Sequence, residues 1–82
     1  MRIVLYTREG SLFGDKIRTL LNDMEIKFKE YKLEDFESEK DFKRQVGTQY
    51  KTLPQVKLEG RLIGGYKELV ESFVEKGLMS YN

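Results

Sequence analysis

Hydrophobic residues follow two rhythms along this chain, and the switches between them mark out its elements. The run Ile3, Val4, Leu5, Tyr6, Thr7 is continuous, with β-branched and aromatic members, which predicts a strand buried on both faces. From Phe13 the apolar positions are Phe13, Ile17, Leu20, Leu21 and Met24, the spacing of an amphipathic helix, with Ser11 placed as its N-cap. The segment "IKFKEYKL", residues 26–33, reads as a second strand whose alternation breaks near Glu30. A shorter helix is expected from Ser38, with Asp41 three residues on, Phe42 and Val46 on one face, and Gly47 as its end.

Beyond "TQYKTLP", Val56 and Leu58 alternate with polar residues, and Glu59-Gly60 connects them tightly to Leu62 and Ile63, which predicts a β-hairpin. The last helix begins after Gly64-Gly65, presents Tyr66, Leu69, Val70, Phe73 and Val74 on one side, and stops at Gly77. The order is therefore β-α-β-α-β-β-α. Strands joined through a helix run parallel by a right-handed crossover, whereas a hairpin is antiparallel. The expectation is an α/β fold with a four-stranded mixed sheet and helices on both faces.

Composition narrows the chemistry. The 82 residues suit a single domain, and 39% hydrophobic with 35% charged residues is globular rather than disordered in character. Fifteen basic against fourteen acidic residues leave a net charge of +1, so no bulk field draws in nucleic acid or an anionic membrane. No apolar stretch approaches the roughly 18 residues of a membrane span, and "MRIVLYTREG" turns polar too soon for a secretory signal, so a cytoplasmic monomer is expected. With no cysteine and no histidine, the chain has no disulfide, thiolate nucleophile or imidazole base, and no metal site is expected. The acidic run "EDFESE" lacks the spaced ligands of a calcium loop and reads as a solvated face ahead of a helix.

The stretch "TREGSLFGDK", residues 7–16, stands where a strand turns into a helix N-terminus, a place where unpaired N–H groups and the positive end of a helix dipole converge. Three segments in register, "LYTREG" before the first helix, "TLPQV" before the third strand and "IGGYKEL" opening the last helix, resemble the glutaredoxins, over nearly the whole chain. The resemblance implies a thioredoxin-like fold and glutathione-dependent thiol–disulfide oxidoreduction, with partners such as ribonucleotide reductase. The family's Cys-Pro-Tyr/Phe-Cys motif is here Ser11-Leu12-Phe13-Gly14, which keeps the aromatic residue and loses both cysteines. A serine hydroxyl is too basic to ionise there and forms no persistent bond to sulfur, so the chain is expected to be inert in disulfide exchange.

The resemblance also implies a glutathione site. Arg8 stands where a family cation meets the glycine carboxylate, the alternative being a solvated loop cation. Pro54 stands at the family's cis-proline, which would leave the backbone of Leu53 free to pair with the cysteinyl residue. Phe13 is an active-site aromatic or a hydrophobic anchor of the first turn. Gly64-Gly65 would turn the chain so that the N–H groups of Tyr66 and Lys67 hold the γ-glutamyl carboxylate, with Tyr66 partly in the core. Lys67 replaces a family Asp and reverses the local charge, which implies that glutathione binds weakly, with a Kd on the order of millimolar or more.

Two other enzyme classes fit poorly. A serine hydrolase would need a base for Ser11, and Lys16 lies a turn or more along the helix. A glutathione transferase domain can hold a thiolate with serine, but the Gly-Gly helix start and the missing helical second domain argue against it. Two readings remain for the motif: an engineered active-site variant of a glutaredoxin, or a natural cysteine-free module that binds glutathione or a cysteinyl peptide. Leu12 in place of proline is a small change at a helix start, and the Ser11 cap, worth about 1 kcal/mol, partly offsets the helix-propensity cost of Gly14, up to about 1 kcal/mol and less near a helix end, so the fold should survive.

Overall fold

A computed structural model describes residues 1–47 and 50–81. Strand β1 (Ile3–Thr7) leads into helix α1 (Leu12–Asp23), strand β2 (Lys29–Lys32) and helix α2 (Glu39–Val46). Strands β3 (Gln55–Leu58) and β4 (Arg61–Gly64) and helix α3 (Tyr66–Glu75) complete the chain. The strand order is β2-β1-β3-β4, with β1 and β2 parallel and the other pairs antiparallel, so the sheet is mixed as the sequence predicts.

The local signals act through identifiable hydrogen bonds. Ser11 caps α1, its hydroxyl oxygen accepting the Gly14 N–H at 2.9 Å, and Ser38 caps α2 by accepting the Asp41 N–H at 3.1 Å. At the hairpin, Glu59 and Gly60 both take positive φ, 52° and 83°, the pair of left-handed residues that a tight two-residue turn requires. Helix α3 ends as Gly77 lets Leu78 N–H return to the Phe73 carbonyl at 2.9 Å.

The second strand is shorter than residues 26–33. Ile26 serves the end of α1, its N–H donating to the Leu21 carbonyl at 2.9 Å, and Leu33 opens a 3₁₀ turn, Leu33–Asp35. That α1 ending places Glu25, at φ 57°, where glycine is usual, so no glycine marks it in the sequence. Helix α1 starts at Leu12, one residue before the apolar stripe begins.

Alternation divides the sheet between two apolar clusters. Ile3 and Leu5 of β1 and Val56 and Leu58 of β3 face α1 and α3, where they bury Ile17, Leu21, Leu69 and Phe73. Tyr6 faces the other way, onto Phe42 and Val46 of α2, with Tyr31, Phe36 and Tyr50 packed around them. The Tyr6 ring stacks on Tyr31 at 5.7 Å and meets the edge of Phe42 at 6.1 Å. Helices thus cover both faces, α1 and α3 on one and α2 on the other.

Candidate functional site

Three chain segments converge at one end of the sheet because β1 feeds α1, the loop before β3 passes beside it, and β4 feeds α3. The peptide bond between Leu53 and Pro54 is cis. Gly64 has φ 121°, which strains any side chain, and a Cβ there would lie 2.7 Å from Glu68 Cγ, so this turn into α3 favours glycine.

Between these segments lies an open groove of about 420 Å³. Phe13, Leu53, Pro54, Gly65, Tyr66 and Lys67 line it, together with Thr52, Gln55, Gly64 and Glu68. Six residues drawn from three separate stretches of sequence are therefore brought to one concavity. Phe13 is 56% exposed, so it acts as an aromatic rim and not as a buried anchor. Its ring lies 6.2 Å from that of Tyr66, and the Lys16 ammonium stands 5.5 Å from both ring centroids. Lys16 thus bridges the rings of α1 and α3 by cation–π attraction, a role invisible to a search for bases.

At the α3 end the electrostatics differ from the simple charge reversal expected of Lys67. The Glu68 carboxylate also lines the groove and accepts the Gly65 N–H at 2.8 Å. The groove therefore carries adjacent opposite charges, and one backbone donor at the helix start is already taken by an internal anion. An acidic residue three positions after the helix-starting glycine is the sequence signal for this cap.

Arg8, Ser11 and Gly14 stand outside the groove lining. Arg8 is exposed, and its carbonyl accepts the Ser11 N–H at 3.3 Å. The Ser11 hydroxyl is committed to its cap on Gly14. Gly14 is buried against β1, where an added Cβ would meet Thr7 Cγ2 at 3.0 Å and Ser11 Oγ at 3.1 Å. The Ser11 and Gly14 positions thus face each other across the first turn of α1.

Beneath that turn runs a polar network the sequence only hinted at. Thr7, fully buried, donates its hydroxyl to Glu30 Oε2 at 2.6 Å. Arg18 of α1 grips both Glu30 oxygens, Nε to Oε1 at 2.8 Å and Nη2 to Oε2 at 2.7 Å, and reaches Asp15 Oδ1 at 2.6 Å. Hydrogen bonds from Arg18, then from Thr7, hold the Glu30 carboxyl below its ordinary range against the opposing effect of burial. The break in alternation at Glu30 was the trace of this bridge from β2 to α1. Among the described residues no group of three or more His, Cys, Asp or Glu side chains could hold a metal, and no helix is long and apolar enough to cross a membrane.

The arrangement offers a concavity with aromatic, backbone and charged groups on its walls, and no thiolate to attack a disulfide. No protein-family description and no curated protein matches the sequence. Solved structures do match. Glutaredoxin 1 from Francisella tularensis, complexed with cacodylate, superposes with a TM-score of 0.73 at 23% identity, covering 94% of this chain and 95% of that one. Reduced Escherichia coli glutaredoxin gives a TM-score of 0.73 at 18% identity over 92% of this chain and 95% of that one. A buckwheat glutaredoxin–glutathione complex gives 0.71 at 21% identity over 93% of this chain and 71% of the other. With the strand order, the cis Leu53–Pro54 bond and the glycine turn into α3, these superpositions show that the chain has the thioredoxin-like fold of the glutaredoxins.

Proposed function

We propose that this chain is a glutaredoxin-type recognition module that binds glutathione or a cysteinyl peptide weakly and performs no thiol–disulfide exchange. The observation that carries the reading is the shared groove of Phe13, Leu53, Pro54, Gly65, Tyr66 and Lys67. A ligand laid beside Leu53 would pair with its backbone, and outside the regular elements no backbone hydrogen bond among the described residues engages it. The similarity to a glutaredoxin solved with glutathione supports the ligand class. Weak binding follows from Glu68, whose carboxylate holds the Gly65 N–H and repels an incoming carboxylate, while Lys67 attracts it. The loss of both cysteines beside an intact groove supports an altered active site, with Ser11 and Gly14 at the positions of the redox pair.

A glutathione-coupled disulfide reduction assay tests the reading. The chain as it stands should show no turnover above buffer, and Ser11→Cys, which leaves the tight contact at Gly14 untouched, should gain it. Adding Leu12→Pro and Gly14→Cys should extend activity to protein disulfides. Activity in the unaltered chain would overturn the requirement for a thiolate. A folded Ser11→Cys protein that is silent would overturn the assignment of the groove.

A further inference from the structure

At the opposite end of β1, roughly 15 Å from α1 by strand rise, lies a second groove of about 520 Å³. Its apolar surface is formed by Met1, Val4 and Phe28, and Arg2, Lys27 and Lys29 stand around it. Met1 is 56% exposed, and none of the three cations has a salt-bridge partner among the described residues. Lys57 also pairs with Val4 in register, but its ammonium donates to the Gln45 carbonyl at 2.7 Å and does not line the groove, so the groove's cations are three. The one carboxylate in the lining, Glu59, accepts the Arg2 backbone N–H at 2.6 Å. In a chain of net charge +1 this is a concentrated positive end. The groove reaches only the first residue of β2, Lys29.

From this juxtaposition we propose that the groove of Met1, Val4 and Phe28 docks an acidic segment of a partner protein, an extended stretch with carboxylates on either side of an apolar side chain. The carboxylates meet Arg2, Lys27 and Lys29, and the apolar side chain covers Met1 and Phe28. A nucleic acid fits less well: the groove offers one aromatic ring for stacking, and Glu59 lies within it. The site is independent of the groove at Pro54.

The test is fluorescence anisotropy with the labelled, end-blocked peptide Glu-Asp-Leu-Glu-Asp-Phe, its Gln/Asn counterpart and a short oligo-thymidylate. The acidic peptide should bind, the neutral one at least about fivefold more weakly, and the double variant Lys27→Glu, Lys29→Glu should lose about tenfold or more. Equal binding of the neutral peptide, or tighter binding of the oligonucleotide, overturns the proposal. So does concentration-dependent self-association without peptide binding, which would assign the groove to a second copy. Should the double variant fail to fold, NMR shifts in the unaltered protein decide: perturbation at Arg2, Lys27, Phe28 and Lys29 supports the site, and perturbation confined to Phe13, Leu53 and Tyr66 overturns it.

Discussion

Two glycines flank the candidate site, and they are there for different reasons. Gly64 turns β4 into α3 at φ 121°, with Glu68 packed so close that a Cβ would lie 2.7 Å from its Cγ. Gly14 is an ordinary helical residue in the first turn of α1, where backbone geometry makes no demand for glycine. Its constraint is lateral, a contact of 3.0 Å from a would-be Cβ to Thr7 Cγ2. The α3 side of the groove is thus fixed by the backbone, whereas the α1 side is a helix start whose glycine is constrained only by side-chain packing. In the proposed reading, recognition and chemistry belong to separate walls, so that one can be altered without the other.

This contrast sets the order of expected effects. Gly64→Ala should be the most damaging, by about 2–3 kcal/mol, because it adds strain at a disfavoured φ to a clash with Glu68. Chemical denaturation should show this as a lowered midpoint, and an effect below about 0.5 kcal/mol would dissolve the distinction between the two glycines.

Glu30→Gln should come next, at about 1–2 kcal/mol, since it deprives Arg18 of two charge-assisted hydrogen bonds in a bridge that is only partly screened, Glu30 being 16% exposed. The folded-state pKa of Glu30 is lowered, so its contribution is present above the ordinary glutamate value and is lost as the pH falls through the depressed one. The stability gap between the unaltered protein and Glu30→Gln should accordingly shrink on acidification. A gap that widens in acid would contradict the bridge.

Ser11→Ala should cost about 1 kcal/mol by removing the cap on Gly14 N–H. Gly14→Ala should have the smallest effect, a destabilisation under about 1 kcal/mol, because alanine's helix propensity is opposed by a Thr7 side chain pinned through its hydroxyl to Glu30. Adding Thr7→Ser, which removes the offending Cγ2, should make the alanine less costly, and thermal melts of the four proteins of that cycle would show it.

Much of this architecture was legible in the sequence because its signals are local. Ser11, Ser38, Glu59-Gly60, Gly64-Gly65 and Gly77 each act within a few residues, and the apolar spacing of the helices needs no tertiary information. The groove residues were legible only through the family resemblance, since nothing in the spacing of Phe13, Leu53 and Tyr66 announces that they meet. What stayed hidden depends on long-range pairing. The Thr7–Glu30–Arg18 bridge spans β1, β2 and α1, and the placement of Lys16 over two rings needs α1 and α3 in position. The overlong second strand has the same origin, for Ile26 looks like a strand residue until the end of α1 claims its N–H.

The most direct test of the central claim, a glutathione groove that outlives its thiol chemistry, is a titration of the unaltered protein with reduced glutathione followed by amide NMR shifts. Saturable shifts at Phe13, Leu53, Gly65, Tyr66 and Lys67, with a Kd on the order of millimolar or more, are the predicted result. No shift at high millimolar ligand, or shifts confined to residues away from this groove, would contradict it.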